Sequence, residues 1–88
     1  MKLKIDKSFH KDIQKIRNAS LNKRLVSLIE RLKKINSLSE LNSVKKLEGT
    51  TNSFRIKSGE YRIGLLLEND EIILVRCLPR KDIYKYFP

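Results

Sequence analysis

Residues 53–65 read SFRIKSGEYRIGL. Two runs of alternating apolar and polar side chains stand on either side of Ser58-Gly59. Alternation at period two belongs to a strand with one covered face, and a Ser-Gly pair between two such runs signals a tight hairpin. With Ser58 and Gly59 as the central turn residues, Lys57 faces Glu60, Ile56 faces Tyr61, Arg55 faces Arg62 and Phe54 faces Ile63. One side of the hairpin is then Phe54, Ile56, Tyr61 and Ile63, which must be covered. The other is Arg55, Lys57, Glu60 and Arg62. Like charges directly opposed on a ladder cost roughly a few tenths of a kcal/mol. Long basic side chains on a solvated face are the ordinary explanation. An anion held between the cations is the functional one. Arg55 and Lys57 share a face in any register, because the strand period is two.

Working outward, Asn69-Asp70 marks a second turn, and IILVRCL (72–78) is a last strand that ends at Pro79, which has no N–H to donate. Upstream, VKKL (44–47) is a short strand before Gly49. Before residue 44 the period becomes helical. Phe9, Ile13 and Ile16 line one helix, capped by Asp6 or Ser8. Leu21, Leu25, Leu28, Ile29, Leu32 and Ile35 form the stripe of a second, capped by Asn18 or Ser20, with Lys23, Arg24, Arg31, Lys33 and Lys34 mostly off that stripe. KLKI (2–5) suits a short opening strand, NSLSELNS (36–43) a polar connection, and RKDIYKYFP (80–88) a helical turn or tail. The order β-α-α-β-β-β-β is α+β: a helical hairpin packed on one face of a small antiparallel sheet, in a single domain 1–88. The opposite face of the sheet is left for a site.

The chain has 88 residues and a formal net charge of +10, which favours an anionic partner. The charge is not a detachable tail, because net +8 lies within residues 1–50 on segments of helical pattern, and net +2 in the rest. One cysteine and one histidine exclude an internal disulfide framework and a zinc site. No stretch has the apolar length of a signal peptide or a membrane span, so a cytoplasmic protein without cofactor or metal is expected. His10 reads as a surface residue, and Cys77 as a small strand residue with no histidine to activate it. Arg76, inside the last strand, is either a snorkelling side chain or a further anion contact.

A second basic and aromatic cluster lies at LPRKDIYKYF, residues 78–87. Arg80 and Lys81 follow the last strand, then Tyr84 and Tyr86. Guanidinium groups beside exposed aromatic rings suit RNA, the cation on phosphate and the ring against an unstacked base. Ile83 and Phe87 read as residues that dock this tail on the core, and Tyr84 and Tyr86 are open to either role.

Taken together, KIDKSFHKDIQKI at the start and KLEGTTNSFRIKSGEYRIGLLLENDEIILVRCLPRKDIYKY later resemble the RelE/ParE superfamily of toxins from type II toxin–antitoxin pairs, over nearly the whole chain. The most specific pieces are L-x-G, then x-R-I-K-x-G-x-Y-R-I, then R-K-D-I-Y after the last strand. The resemblance implies a microbial-RNase-like fold, a short acidic antitoxin encoded alongside, and one of two targets. RelE-like members cleave mRNA in the ribosomal A site, and ParE-like members inhibit DNA gyrase. In the RelE-like branch the implied functional set is Arg55, Lys57, Arg62, Arg80 and Tyr84, of which Lys57, Arg62, Arg80 and Tyr84 are taken as catalytic and Arg55 as a substrate contact; Lys81 and Tyr86, from the basic and aromatic cluster, are added as substrate contacts. Arg55 stands where that branch has a lysine. Pro79 stands where many family nucleases have a histidine, and no glutamate matches the base that some members use. A non-catalytic nucleic-acid-binding module is the third reading.

Metal-independent RNA cleavage needs a base for the 2′-OH, positive charge for the phosphorane and an acid for the 5′-oxygen. Arginine stays protonated, so Arg55, Arg62 and Arg80 are expected to stabilise charge. Lys57 is the base candidate, being the cation of this set that can lose a proton. Tyr84 or Tyr86 is the acid candidate, or the ring on which a base stacks.

Overall fold

A computed structural model describes residues 1–88. The elements are β1 (Lys2–Ile5), α1 (Lys7–Ile16), α2 (Ala19–Lys34), β2 (Val44–Lys46), β3 (Ser53–Ser58), β4 (Tyr61–Glu68), β5 (Glu71–Pro79) and α3 (Arg80–Tyr86). Of the two capping candidates at each helix, Asp6 caps α1 by accepting from the Ser8 N–H, and Asn18 caps α2 by accepting from the Leu21 N–H. Arg17 separates the helices in a left-handed conformation (φ 47°).

The sheet order is β1-β5-β4-β3-β2. Strands β2 to β5 form the antiparallel meander, and β1 adds to β5 in parallel, so the sheet is mixed. One face packs against α1 and α2. Ile56, Ile63, Leu65, Ile72, Leu74 and Cys77 from the strands meet Phe9, Leu21, Leu25 and Leu32 in one buried cluster. The 36–43 segment is less polar in its role than in its composition. A 3-10 turn at Leu38–Glu40, closed by a reciprocal Ser37–Glu40 capping box, drives Leu38 and Leu41 into that core.

The opposite face is not wholly free. Ile83 and Phe87 of the C-terminal segment are buried there with Leu47, flanked by Leu66, Val75 and Leu78. Gly64 makes this possible: a Cβ at that position would lie 2.5 Å from Cγ of Phe87. The requirement is for space, since an added methyl would have to displace a buried aromatic ring. Gly64→Ala is therefore expected to lower stability by about 1–3 kcal/mol through overpacking, and Phe87→Leu in the same chain to recover part of it. Chemical denaturation of the unsubstituted chain and these two variants checks this; an unperturbed Gly64→Ala would show that Phe87 does not bear on Gly64.

The hairpin register differs from the expected one. Ser58 pairs with Tyr61, Lys57 with Arg62, Ile56 with Ile63 and Arg55 with Gly64. The turn is centred on Gly59-Glu60, because the one positive φ falls on Gly59 (58°), at the first central position, as in a type II′ hairpin. The shift preserves side-chain alternation, so both faces keep their members, with Glu60 moved into the turn. At the other hairpin Asn69 and Asp70 both have positive φ (51° and 61°), the pattern of a type I′ turn.

Candidate active site

Strand pairing lays the cations in rows across the exposed face. Lys45 on β2 pairs with Arg55 on β3, which pairs with Gly64 on β4. One step along, Lys57 lies opposite Arg62. The like-charge contact foreseen between Arg55 and Arg62 is thus replaced by two others. Helix α3 then sets Tyr84 against the cations, because Ile83 and Phe87 anchor that helix on the same face. The Arg55 guanidinium lies 4.5 Å from the centroid of the Tyr84 ring, within range for a cation–π contact. Lys45, Arg55, Lys57, Arg62 and Tyr84 line one cleft of about 300 Å³, with Asn42, Ser43 and Val44 at its edge.

A second depression, of about 590 Å³, lies on the other side of Tyr84 and is lined by Glu60, Pro79, Arg80, Lys81 and the same tyrosine. The backbone N–H of Arg80 donates to the Glu60 carbonyl (2.9 Å), so the start of α3 is pinned to the hairpin turn. Tyr84 is the partition between the two lobes. Its phenol is held below the ordinary tyrosine range, first by the neighbouring Arg80 guanidinium, then by the positive charge of Arg55 and Arg62. Titration of the tyrosine followed by absorbance is expected to move to higher pH in Arg80→Gln, since the largest stabiliser of the phenolate is removed.

The turn is stiffened from two directions. Arg62 Nη1 donates to the carbonyls of Gly59 (2.8 Å) and Tyr61 (2.9 Å), leaving the rest of its fork toward the cleft. Arg24 reaches from α2 to donate through Nε to Ser58 Oγ (3.2 Å), and its guanidinium lies over Gly59.

Of the residues singled out from sequence, Arg55, Lys57, Arg62, Arg80, Lys81 and Tyr84 converge on these two lobes. Tyr86 does not. It is exposed and lies with its ring 5.8 Å from the Arg76 guanidinium, outside both lobes. Arg76 is in turn a structural residue. Its Nε and Nη2 donate to the two carboxylate oxygens of Asp12 at 2.8 and 3.1 Å, and the same carboxylate accepts from the Cys77 N–H at 2.9 Å. Cys77 is fully buried, and burial, with the Asp12 charge adding, pushes its thiol up to about 12. A thiol-specific reagent is expected to leave it unmodified in the folded chain and to react after denaturation; rapid reaction under native conditions would contradict this placement. His10 is exposed on α1, lining other surface depressions. Lys45 and Glu60 were the site residues that sequence reading left out. Lys45 follows Val44 in the period-two run, so its face was readable once β2 was known to pair with β3.

No family model matches the chain. Among curated proteins it is 42% identical, over the full length of both, to Toxin RelE3 of Methanocaldococcus jannaschii. The chain belongs to the RelE toxin family. The solved toxin–antitoxin complex RelB-RelE from Methanococcus jannaschii has a chain that this RelE-family fold matches with a TM-score of 0.82 and 40% identity, covering 97% of this chain and 99% of that one. The archaeal RelE-RelB complex of Pyrococcus horikoshii OT3 matches with a TM-score of 0.73 and 25% identity, over 90% and 93% of the two chains. The RelE fold in this chain carries its antiparallel strands, its helical hairpin and its α3 in the order expected from sequence. It is a toxin of the type II toxin–antitoxin class.

Proposed function

We propose that this toxin is a ribosome-dependent, metal-independent mRNA endoribonuclease, silenced by a short acidic antitoxin. The observation that carries the reading is the row of Lys45, Arg55, Lys57 and Arg62 on one sheet face, closed on one side by Tyr84. Four cations about one cleft suit a phosphodiester, and an aromatic wall suits an unstacked base. The antitoxin is supported by the relatives solved with RelB and by the net charge of +10. Action on ribosomes places the toxin in the cytoplasm.

The chemistry follows from the residues. The 2′-oxygen attacks the adjacent phosphorus, its proton passing to the Lys57 amine, the base in this scheme. Negative charge gathers on the phosphorane oxygens, facing Arg55 and Arg62, while Arg80 acts from the neighbouring lobe through Tyr84. The bond to the 5′-oxygen breaks, and that oxygen takes a proton from Tyr84, the tail tyrosine that lines the cleft and whose phenol is held below the ordinary tyrosine range. The products are a 2′,3′-cyclic phosphate and a 5′-hydroxyl end.

The test is induction of the chain from a tight promoter with mapping of message 5′ ends. Cuts within translated messages, bearing 5′-hydroxyl ends, are expected. Intact messages with inhibited DNA supercoiling would transfer the chain to gyrase inhibition. Within the nuclease reading, Lys57→Ala is expected to lower cleavage by roughly 10²–10⁴, the usual range for losing an acid–base group. Tyr84→Phe should separate the hydroxyl from the ring: a loss as large as in Tyr84→Ala assigns the phenol to proton transfer, and retained cleavage assigns the ring to stacking.

A further inference from the structure

The second lobe holds a group that a phosphate site should not have. Glu60 lines it together with Arg80, Lys81, Pro79 and Tyr84. Its carboxylate makes no hydrogen bond and no ion pair, because the one ion pair in the chain is Asp12–Arg76. An ionised carboxylate only accepts hydrogen bonds, and here it repels phosphate. A ligand group seated beside it must present hydrogen-bond donors, such as the N–H groups of a base. The neighbouring surfaces are the exposed Tyr84 ring and Pro79, which offer a flat base something to lie on. The turn that carries Glu60 is held by Arg62 on one side and Arg24 on the other, and its carbonyl is tied to the Arg80 N–H, so the carboxylate stands on a fixed support.

We infer that this lobe is a nucleobase pocket in which Glu60 selects guanine, a reading that rests on RNA being the substrate of the adjoining cleft. The four bases differ in what they show along the pairing edge. Guanine presents two adjacent donors, the N1–H and the N2 amine, which match the two carboxylate oxygens. Adenine and cytosine place an acceptor nitrogen beside their one amine. Uracil has one N–H between two carbonyl oxygens. The bidentate carboxylate contact is open to guanine alone, and those mismatched acceptors would meet a negative charge. Tyr84, as the partition, lets one nucleotide put its base in this lobe while a neighbouring phosphate lies in the cation row.

The experiment is NMR titration of the folded chain with GMP, IMP, AMP, CMP and UMP. GMP is expected to shift signals of Tyr84 and the 59–62 turn and to half-saturate at a concentration about tenfold below the others, as one good bidentate pair allows. IMP, which lacks the N2 amine, should lose most of that advantage. In Glu60→Gln the order should collapse, GMP binding no better than AMP. Equal affinities for the five nucleotides, or a GMP preference that survives Glu60→Gln and Glu60→Ala, would overturn the inference. The outcome is independent of cutting. Uncut messages with an intact Glu60-dependent GMP preference remove the nuclease reading and leave the pocket. Cut messages without that preference remove the pocket alone.

Discussion

Arg62→Ala is expected to release the growth arrest and to lower message cleavage by roughly 10²–10³, the loss seen when one preorganised charge stabiliser is taken from a developing anion. Two functions meet in this side chain. Its Nη1 closes the hairpin turn on the carbonyls of Gly59 and Tyr61, and the rest of the guanidinium faces the cleft that it shares with Lys57, Arg55 and Tyr84. Arg62→Lys separates them. Lysine keeps a positive charge in the cleft but lacks the fork needed to cap the turn and address phosphate together. Partial cleavage in Arg62→Lys with a near-native melting curve would assign the residue to charge stabilisation. If Arg62→Ala and Arg62→Lys both lose the fold, the turn cap dominates. Unchanged cleavage in a folded Arg62→Ala removes the residue from the site.

The second large effect is on stability and lies away from the chemistry. Asp12→Ala is expected to cost about 2–3 kcal/mol, below the full range for breaking a buried pair because the Arg76 side chain keeps 27% of its surface in water. The carboxylate is buried on α1 and serves two donors on β5, the Arg76 guanidinium and the Cys77 N–H. That N–H belongs to the stretch of β5 beyond residues 71–74, where β1 no longer pairs with it. The side chain of Asp12 thus stands in for a missing strand partner, and its removal leaves a buried donor unsatisfied. For a domain of this size the loss corresponds to a melting temperature lower by about 10–20 °C. Asp12→Asn retains an acceptor for Cys77 and should cost less than Asp12→Ala. Thermal unfolding of the two variants, with Arg76→Ala as the partner in a double-mutant cycle, measures the coupling; equal costs for both Asp12 variants would deny the role of the Cys77 N–H.

Much of the candidate site is legible in the sequence. The charges of Arg55, Lys57 and Arg62 stand at period-two positions of strands, and alternation alone puts them on one face. Arg80 and Lys81 follow directly on a strand that Pro79 ends, so they had to emerge at the sheet end. Ile83 and Phe87 were legible as docking residues by their apolar character. The register was not legible. Ser58-Gly59 and Gly59-Glu60 both satisfy the local turn rules, and the second prevails in a structure where Arg24 of α2 holds Ser58 and lies over Gly59. Tyr84 and Tyr86 have the same local signal, yet only Tyr84 reaches the cleft, because burial of Ile83 and Phe87 fixes the rotation of α3.

The sequence by itself determined the element order, the α+β class, the face to which each residue of the β3–β4 hairpin belongs and the basic character of the site, since each of these follows from the chemistry of neighbours within a few positions. Only the tertiary structure decided which cations are opposed, that β1 joins β5 in parallel, that Asp12 is buried to hold Arg76 and Cys77, that Gly64 is small because Phe87 lies on it, and that Glu60 shares a lobe with Arg80. All of these contacts are set by how helices and strands pack across the sheet, and packing of that kind is decided by burial and space between distant segments, which no local pattern records.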